Sequence, residues 1–233
     1  MDSKTRHALK QDKFVQATTS SIGWLGEHRD AILKIGLPSV ILAILLVAGT
    51  VYYNVQSDKA DVELGNALTI YTGQLTPPGQ PALPGLYATS SDRAKAANKG
   101  FSEVAGKYAW LSQGRKALYF KGLTEIDLNQ TGSAESDLKR VASHGGDLGN
   151  LAHVALANLY HATQRDAQAA DELNAIVSKP SSTVSALTAQ IYLGDLYAHN
   201  DPAKAKAIYA KVKDADKEGP LGSAAESRIT GLK

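Results

Sequence analysis

Six histidines and no cysteine bound the chemistry open to this chain of 233 residues. Without a thiol there is no disulfide framework, no thiolate metal site and no cysteine nucleophile. A nucleophile would have to be Ser, Thr or Lys, yet neither a Gly-x-Ser-x-Gly elbow nor a Gly-x-x-x-x-Gly-Lys phosphate loop occurs. Gly145-Gly146 runs into Asp147 and reads as a turn between helices. His153 and His161 stand eight residues apart, whereas chelation from one helix uses spacings of about three or four. The formal charge of +2, from 25 basic and 23 acidic residues, is too small for nucleic-acid binding through the net field. No catalytic residue, no metal and no cofactor is therefore expected. What remains is recognition of other proteins, which needs elements to carry the recognising side chains.

Those elements read as helices. The chain has 35 alanines and only 6% aromatic residues, and alanine loses no side-chain entropy in a helix. Three stretches repeat one another. Leu118-Tyr-Phe-Lys-Gly122 is followed by Ala134 and Leu138, Val154-Ala-Leu-Ala157-Asn-Leu-Tyr160 by Ala169 and Leu173, and Ile191-Tyr-Leu-Gly194-Asp-Leu-Tyr197 by Ala205 and Tyr209. The small residue recurs after 35 and 37 residues, the alanine and the bulky residue after 35 and 36. This period and order resemble the tetratricopeptide repeat, a helix–turn–helix unit of about 34 residues. The first copy departs most, with Glu125 where the others have Tyr160 and Tyr197. Small residues let two helices approach closely, so Gly194 and Ala205 are expected to face each other.

The resemblance implies an all-α fold: a right-handed α-solenoid of helical hairpins whose first helices line a concave groove. Carried over by register, the groove positions are Lys116, Tyr119, Leu123, Ile126 and Asp127 in the first clear repeat. They are Leu151, Val154, Asn158, His161 and Ala162 in the second, and Thr188, Ile191, Asp195, Ala198 and His199 in the third. A partner-binding groove is accordingly expected on Lys116, Tyr119, Leu123, Val154, Asn158, His161, Ile191, Asp195 and His199. Related domains clamp a terminal carboxylate with Lys and Asn. Here only Lys116 and Asn158 fit and Asp195 would oppose an anion, so no clamp is expected.

Helices are expected near 58–75, 92–108, 110–129, 134–144, 149–164, 167–178, 183–199, 202–215 and 222–231. Asp201-Pro202 is an N-cap followed by proline at the first helical position, and Ser223-Ala-Ala-Glu226 reads as a capping box opening a last, capping helix. Residues 58–109 form a degenerate first repeat, with Ala67 and Ile70 on its first helix, Ala97 and Phe101 on its second, and a proline-rich insertion at 76–91 between them. The clear repeats and the capping helix take 110–233.

No charged residue occurs between Lys34 and Asp58, and ten of the nineteen residues Ile35–Tyr53 are Leu, Ile or Val. Nineteen helical residues rise ~28 Å, close to the hydrocarbon core of a bilayer. A buried core helix and a cleaved signal peptide are the alternatives. The absence of a polar face argues against the first, and the 34 residues ahead of the run argue against the second. An uncleaved transmembrane anchor at 35–57 is the reading adopted, behind a partly amphipathic cytoplasmic leader at 1–34. Arg29 and Lys34 against Lys59 favour the N-terminus inside, which places the repeats in the periplasm of a bacterial inner membrane.

The order of parts resembles one family more closely. Asp12-Lys-Phe14 and Trp24-x-x-x-His28-Arg29 precede one membrane helix ending in Tyr52-Tyr53, then repeats with a degenerate first hairpin. This is similar to the YfgM-type ancillary subunits of the bacterial SecYEG translocon. The resemblance implies a place beside SecYEG, a membrane-anchored periplasmic peptidyl-prolyl isomerase as companion, and unfolded client segments as ligands. The proline-rich insertion departs from that pattern. The alternative is a scaffold for another envelope assembly.

Overall fold

The computed structural model of the protein describes residues 29–77 and 86–232. The amphipathic reading of the leader and the middle of the 76–91 insertion lie outside the described residues. The chain divides into two units, Met1–Gln56 and Ser57–Lys233.

In the first unit a short turn of helix, Arg29–Ala31, leads through a π-helical turn, Ile32–Gly36, into α1, Leu37–Tyr71. The π turn ends two residues before Pro38, whose ring cannot sit against the carbonyl four residues back in a regular α-helix. Large apolar side chains from Leu33 to Val55 are 45–69% exposed, which removes the core-helix alternative. The hydroxyls in this stretch are already satisfied. Ser39 Oγ donates to Ile35 O at 2.7 Å and Thr50 Oγ1 to Leu46 O at 2.8 Å, so neither would be left unpaired in hydrocarbon. The stretch Leu33–Tyr71 is long and apolar enough to cross a membrane. α1 carries no break near residue 58, so the expected span and first repeat helix are one helix.

The second unit takes the end of α1 and adds α2 (Ser90–Lys107), α3 (Ser112–Asp127), α4 (Thr131–Ala142), α5 (Gly146–Ala162), α6 (Asp166–Ser178), α7 (Ala186–Tyr197), α8 (Pro202–Ala215) and α9 (Pro220–Gly231). From α2 onward each helix packs against the next, and α3 also meets α5 and α7 meets α9. That is the contact pattern of stacked antiparallel hairpins. Helix ends follow local chemistry. Asp201 Oδ1 accepts from Lys204 N at 3.0 Å with Pro202 at the first position. The α3–α4 and α5–α6 turns are copies: Asn129 and Gln164 take φ of 58° and 59°, and Gln130 N and Arg165 N reach back to Glu125 O and Tyr160 O at 2.8 and 2.7 Å. These are left-handed helix terminations that satisfy end carbonyls. The capping box at Ser223 does not form. α9 starts at Pro220, because Asp216 Oδ2 already accepts from Leu221 N and Gly222 N at 2.9 and 3.1 Å.

Three cores run along the hairpins. Ala60, Leu64 and Ala67 of α1 pack with Ala97, Phe101 and Val104 of α2. Leu138, Leu156, Tyr160, Leu173 and Ile176 lead the middle core, and Ile191, Ala205, Tyr209, Val212 and Ala225 form the last. Burying a side chain of the size of Leu138 or Leu156, both 0% exposed, contributes about 2 kcal/mol. The small residues act differently from expectation. A Cβ on Gly194 would strike the Tyr209 ring, and one on Gly122 would come within 2.8 Å of Leu138 Cγ. The small position of the first helix thus makes room for the bulky residue of the second, rather than for its alanine.

Candidate functional site

Where α5, α6 and α7 meet, a pocket of about 200 Å³ opens to solvent. Its floor is apolar: Ala157 of α5, Ala169 and Leu173 of α6, and Leu196 of α7. All four are buried, and Ala157, Ala169 and Leu173 belong to the repeated small and bulky positions that hold the hairpins together. Its rim is polar. Asn158 and His161 rise from α5 on one side, Tyr192 and Asp195 from α7 on the other. Three side chains assigned to the groove from the sequence, Asn158, His161 and Asp195, are therefore brought together.

Two of them are held in place. Asp195 accepts a forked pair from Arg228, Nε to Oδ1 at 2.6 Å and Nη2 to Oδ2 at 3.1 Å, and Tyr209 Oη donates to Oδ1 at 2.6 Å. Burial, with the Asp195 hydrogen bond second, raises the Tyr209 hydroxyl above its ordinary value. The Asp195 hydrogen bond also raises Arg228. His161 Nδ1 donates to Asp166 Oδ1 at 2.7 Å, while Asn200 Nδ2 donates to Oδ2 at 3.1 Å. Asp195 is thus not the bare negative charge the sequence implied, since Arg228 of the capping helix neutralises it.

The other groove positions fall elsewhere. Ile191 is corrected: it is 4% exposed inside the last core, because α9 packs against α7 and brings Ala225 onto it. Its neighbour Tyr192, 41% exposed, takes the surface position. Tyr192 and Arg228 were not found from the sequence. Tyr192 lies one residue off the transferred register, and no spacing rule links Arg228 to Asp195. Tyr119, Leu123 and Val154 are half-buried against the middle core. Lys116 lines a separate hollow with Arg115 and His144, and His199 is exposed outside the pocket. His153 Nδ1 pairs with Glu172 Oε2 at 2.5 Å. Among the described residues no group of three His, Asp or Glu side chains is placed to hold a metal. The arrangement suits an extended chain: apolar side chains on the floor, amide and hydroxyl partners at the rim.

Against known proteins, the family model described as a tetratricopeptide repeat-like domain matches residues 31–232. No curated protein and no solved structure matches the chain.

Proposed function

The chain belongs to the tetratricopeptide repeat-like domain family, and from that premise we propose that it is a membrane-anchored protein-interaction module that receives extended polypeptide segments. The observation that carries the reading is the pocket between α5 and α7, with Asn158, His161, Tyr192 and Asp195 around an apolar floor. The apolar side chains of residues 33–55, 45–69% exposed, support a membrane-crossing stretch, which we read as an uncleaved single-pass anchor with the repeats on the periplasmic side of a bacterial inner membrane. The finer reading is an ancillary subunit beside SecYEG, working with a membrane-anchored periplasmic peptidyl-prolyl isomerase on emerging chains. It rests on the order leader, anchor and degenerate first hairpin. One anchor helix offers few polar handles, so tethering raises the local concentration of a domain whose groove binds weakly by itself.

A photo-crosslinker placed at Asn158 in intact cells should capture translocon subunits or emerging chains, with far less capture from the exposed Asp171 of α6. Equal capture at both positions removes the groove from the reading. Capture at Asn158 of an envelope assembly without SecYEG removes the translocon from it.

A further inference from the structure

At one end of the repeat unit the turn between α2 and α3 presents Trp110, 56% exposed. The turn is firmly built. Tyr108 and Leu111, on either side, are each 1% exposed, so the indole cannot fold inward without displacing core. The turn is also fixed to the first residues of the unit. Gln113 Nε2 donates to Ser57 Oγ at 2.8 Å and to Asp61 Oδ2 at 2.9 Å. Lys107 Nζ and Tyr108 Oη donate to Glu63 Oε1 at 2.6 and 2.8 Å. Ser57 follows Tyr53 by four residues, so the chain alone keeps it within ~14 Å of the last tyrosine of the apolar stretch. When residues 35–53 cross a bilayer, Gln113, bonded to Ser57, is thereby kept near the lipid headgroups, and Trp110 stands three residues before it in the same turn. Tryptophan is the residue most favoured there, with an apolar body and one N–H.

Basic charge accompanies it. The start of α3 brings Arg115 and Lys116 toward His144, Gly145 and Asp147 at the α4–α5 turn, around a hollow of about 220 Å³. Arg115 and Lys116 are exposed, and neither takes part in the ion pairs found among the described residues. His144 Nδ1 is used on Arg140 O at 2.8 Å. Asp147 is one negative charge against two positive ones. Its carboxylate is occupied by Ser182 Oγ at 2.8 Å and Thr183 N at 3.1 Å, and those hydrogen bonds hold it below the ordinary carboxylate value.

We propose that this end of the repeat domain docks on the bilayer surface, with Trp110 in the headgroup layer and Arg115 and Lys116 on the phosphates of anionic phospholipids. The proposal rests on the anchor reading above. Its consequence is orientation: docking would hold the α2–α3 and α4–α5 turns toward the lipid.

The test uses the full chain carrying Trp24→Phe, which leaves Trp110 as its one tryptophan. The protein is placed in lipid nanodiscs of phosphatidylcholine, with or without phosphatidylglycerol, whose acyl chains are brominated near the headgroup. Trp110 emission should shift to the blue and be quenched at least 2-fold. Quenching should deepen with phosphatidylglycerol, and Arg115→Gln with Lys116→Gln should abolish that deepening at unchanged helicity. Co-elution with the discs reports the anchor separately. A chain that never enters the discs overturns the anchor reading and the docking with it. A chain that enters, but whose Trp110 stays unquenched and open to iodide, overturns the docking alone. Quenching that is equal with and without phosphatidylglycerol overturns the assignment of Arg115 and Lys116 to anionic headgroups.

Discussion

In α5 the aromatic slot of the repeat holds Tyr160, 1% exposed, whose hydroxyl donates to Glu135 Oε1 at 3.0 Å. In α3 the same slot holds Glu125, 3% exposed. Its Oε1 accepts from Lys121 Nζ at 2.5 Å, and the same ammonium also bonds Asp137 of α4. Asn98 of α2 adds a hydrogen bond to Thr124 Oγ1 at 2.8 Å. One hairpin fills the slot with a ring and a single hydroxyl. The other fills it with a carboxylate that must bring its own cation. Burial opposes the Lys121 charge, but its bonds to Asp137 and Glu125 outweigh this and hold the ammonium above its ordinary value. The lesson is that the repeat specifies volume and helix approach, and leaves open how a polar group in the slot is satisfied. The ionic solution is also the less complete one, since Glu125 Oε2 is buried without a hydrogen-bond partner among the described residues.

The hardest way to break this comparison is to remove the cation. Lys121→Met should destabilise the full chain in detergent by about 3 kcal/mol, because it strands the buried Glu125 carboxylate, while Asp137 keeps Arg140 Nη1 at 3.2 Å. Adding Glu125→Leu should restore most of the loss, since a buried ion pair replaced by apolar side chains is often neutral. Denaturant midpoints of the two variants measure this. A double variant no more stable than Lys121→Met alone would mean that packing of the lysine stem, and not charge, holds the α3–α4 hairpin.

The hairpins also differ in how much room their small residues leave. Ala157 with Leu173 is tolerated in α5–α6, so Gly122→Ala, which meets Leu138 at 2.8 Å, should cost about 1 kcal/mol. Gly194→Ala meets the Tyr209 ring, whose hydroxyl is fixed to Asp195 and which cannot swing aside. It should cost about 2 kcal/mol as overpacking. Thermal unfolding of the two variants gives the comparison directly, and equal losses would show that the ring yields as readily as the leucine.

The sequence carried the parts of this fold that repeat. Ala134, Ala169 and Ala205 are all 0% exposed, and α8 begins at Pro202 behind Asp201, because spacing and capping chemistry are local signals. The pocket was legible in half. Asn158, His161 and Asp195 came from register, but Tyr192 was hidden by a one-residue offset, since the groove positions were carried over from a pattern whose third copy is covered by α9. Arg228 was beyond reach, because the contact of Asp195 with the capping helix spans 33 residues with no periodicity between them. The continuity of α1 was missed for a different reason. Asp58, Lys59 and Asp61 end the apolar composition, which predicts a boundary there, but lysine propagates a helix about as well as leucine does and aspartate weakens a helix without breaking it.

A smaller effect than the loss of Lys121 tests the link between the α3–α4 and α5–α6 hairpins. Glu135 of α4 accepts from Lys139 Nζ and Arg165 Nη1, both at 2.8 Å, as well as from Tyr160. Those bonds, led by Lys139 and Arg165, pull its carboxyl down to about 2 from 4.5. A carboxyl lowered on folding contributes stability that is present above the unfolded value and is lost as pH falls through the folded one. The contribution should therefore be full at pH 7 and decline from about pH 5 to about pH 2. With 22% of the Glu135 side chain still in water, screening limits it to about 1 kcal/mol. Glu135→Gln should lower stability by that amount at neutral pH, and the gap to the parent chain should close on acidification. The Lys121 cluster is left intact by this change. A gap that stays constant across the acid range would show that Glu135 joins the hairpins by shape alone, and the ring-and-hydroxyl solution of α5 would then need no charge beside it.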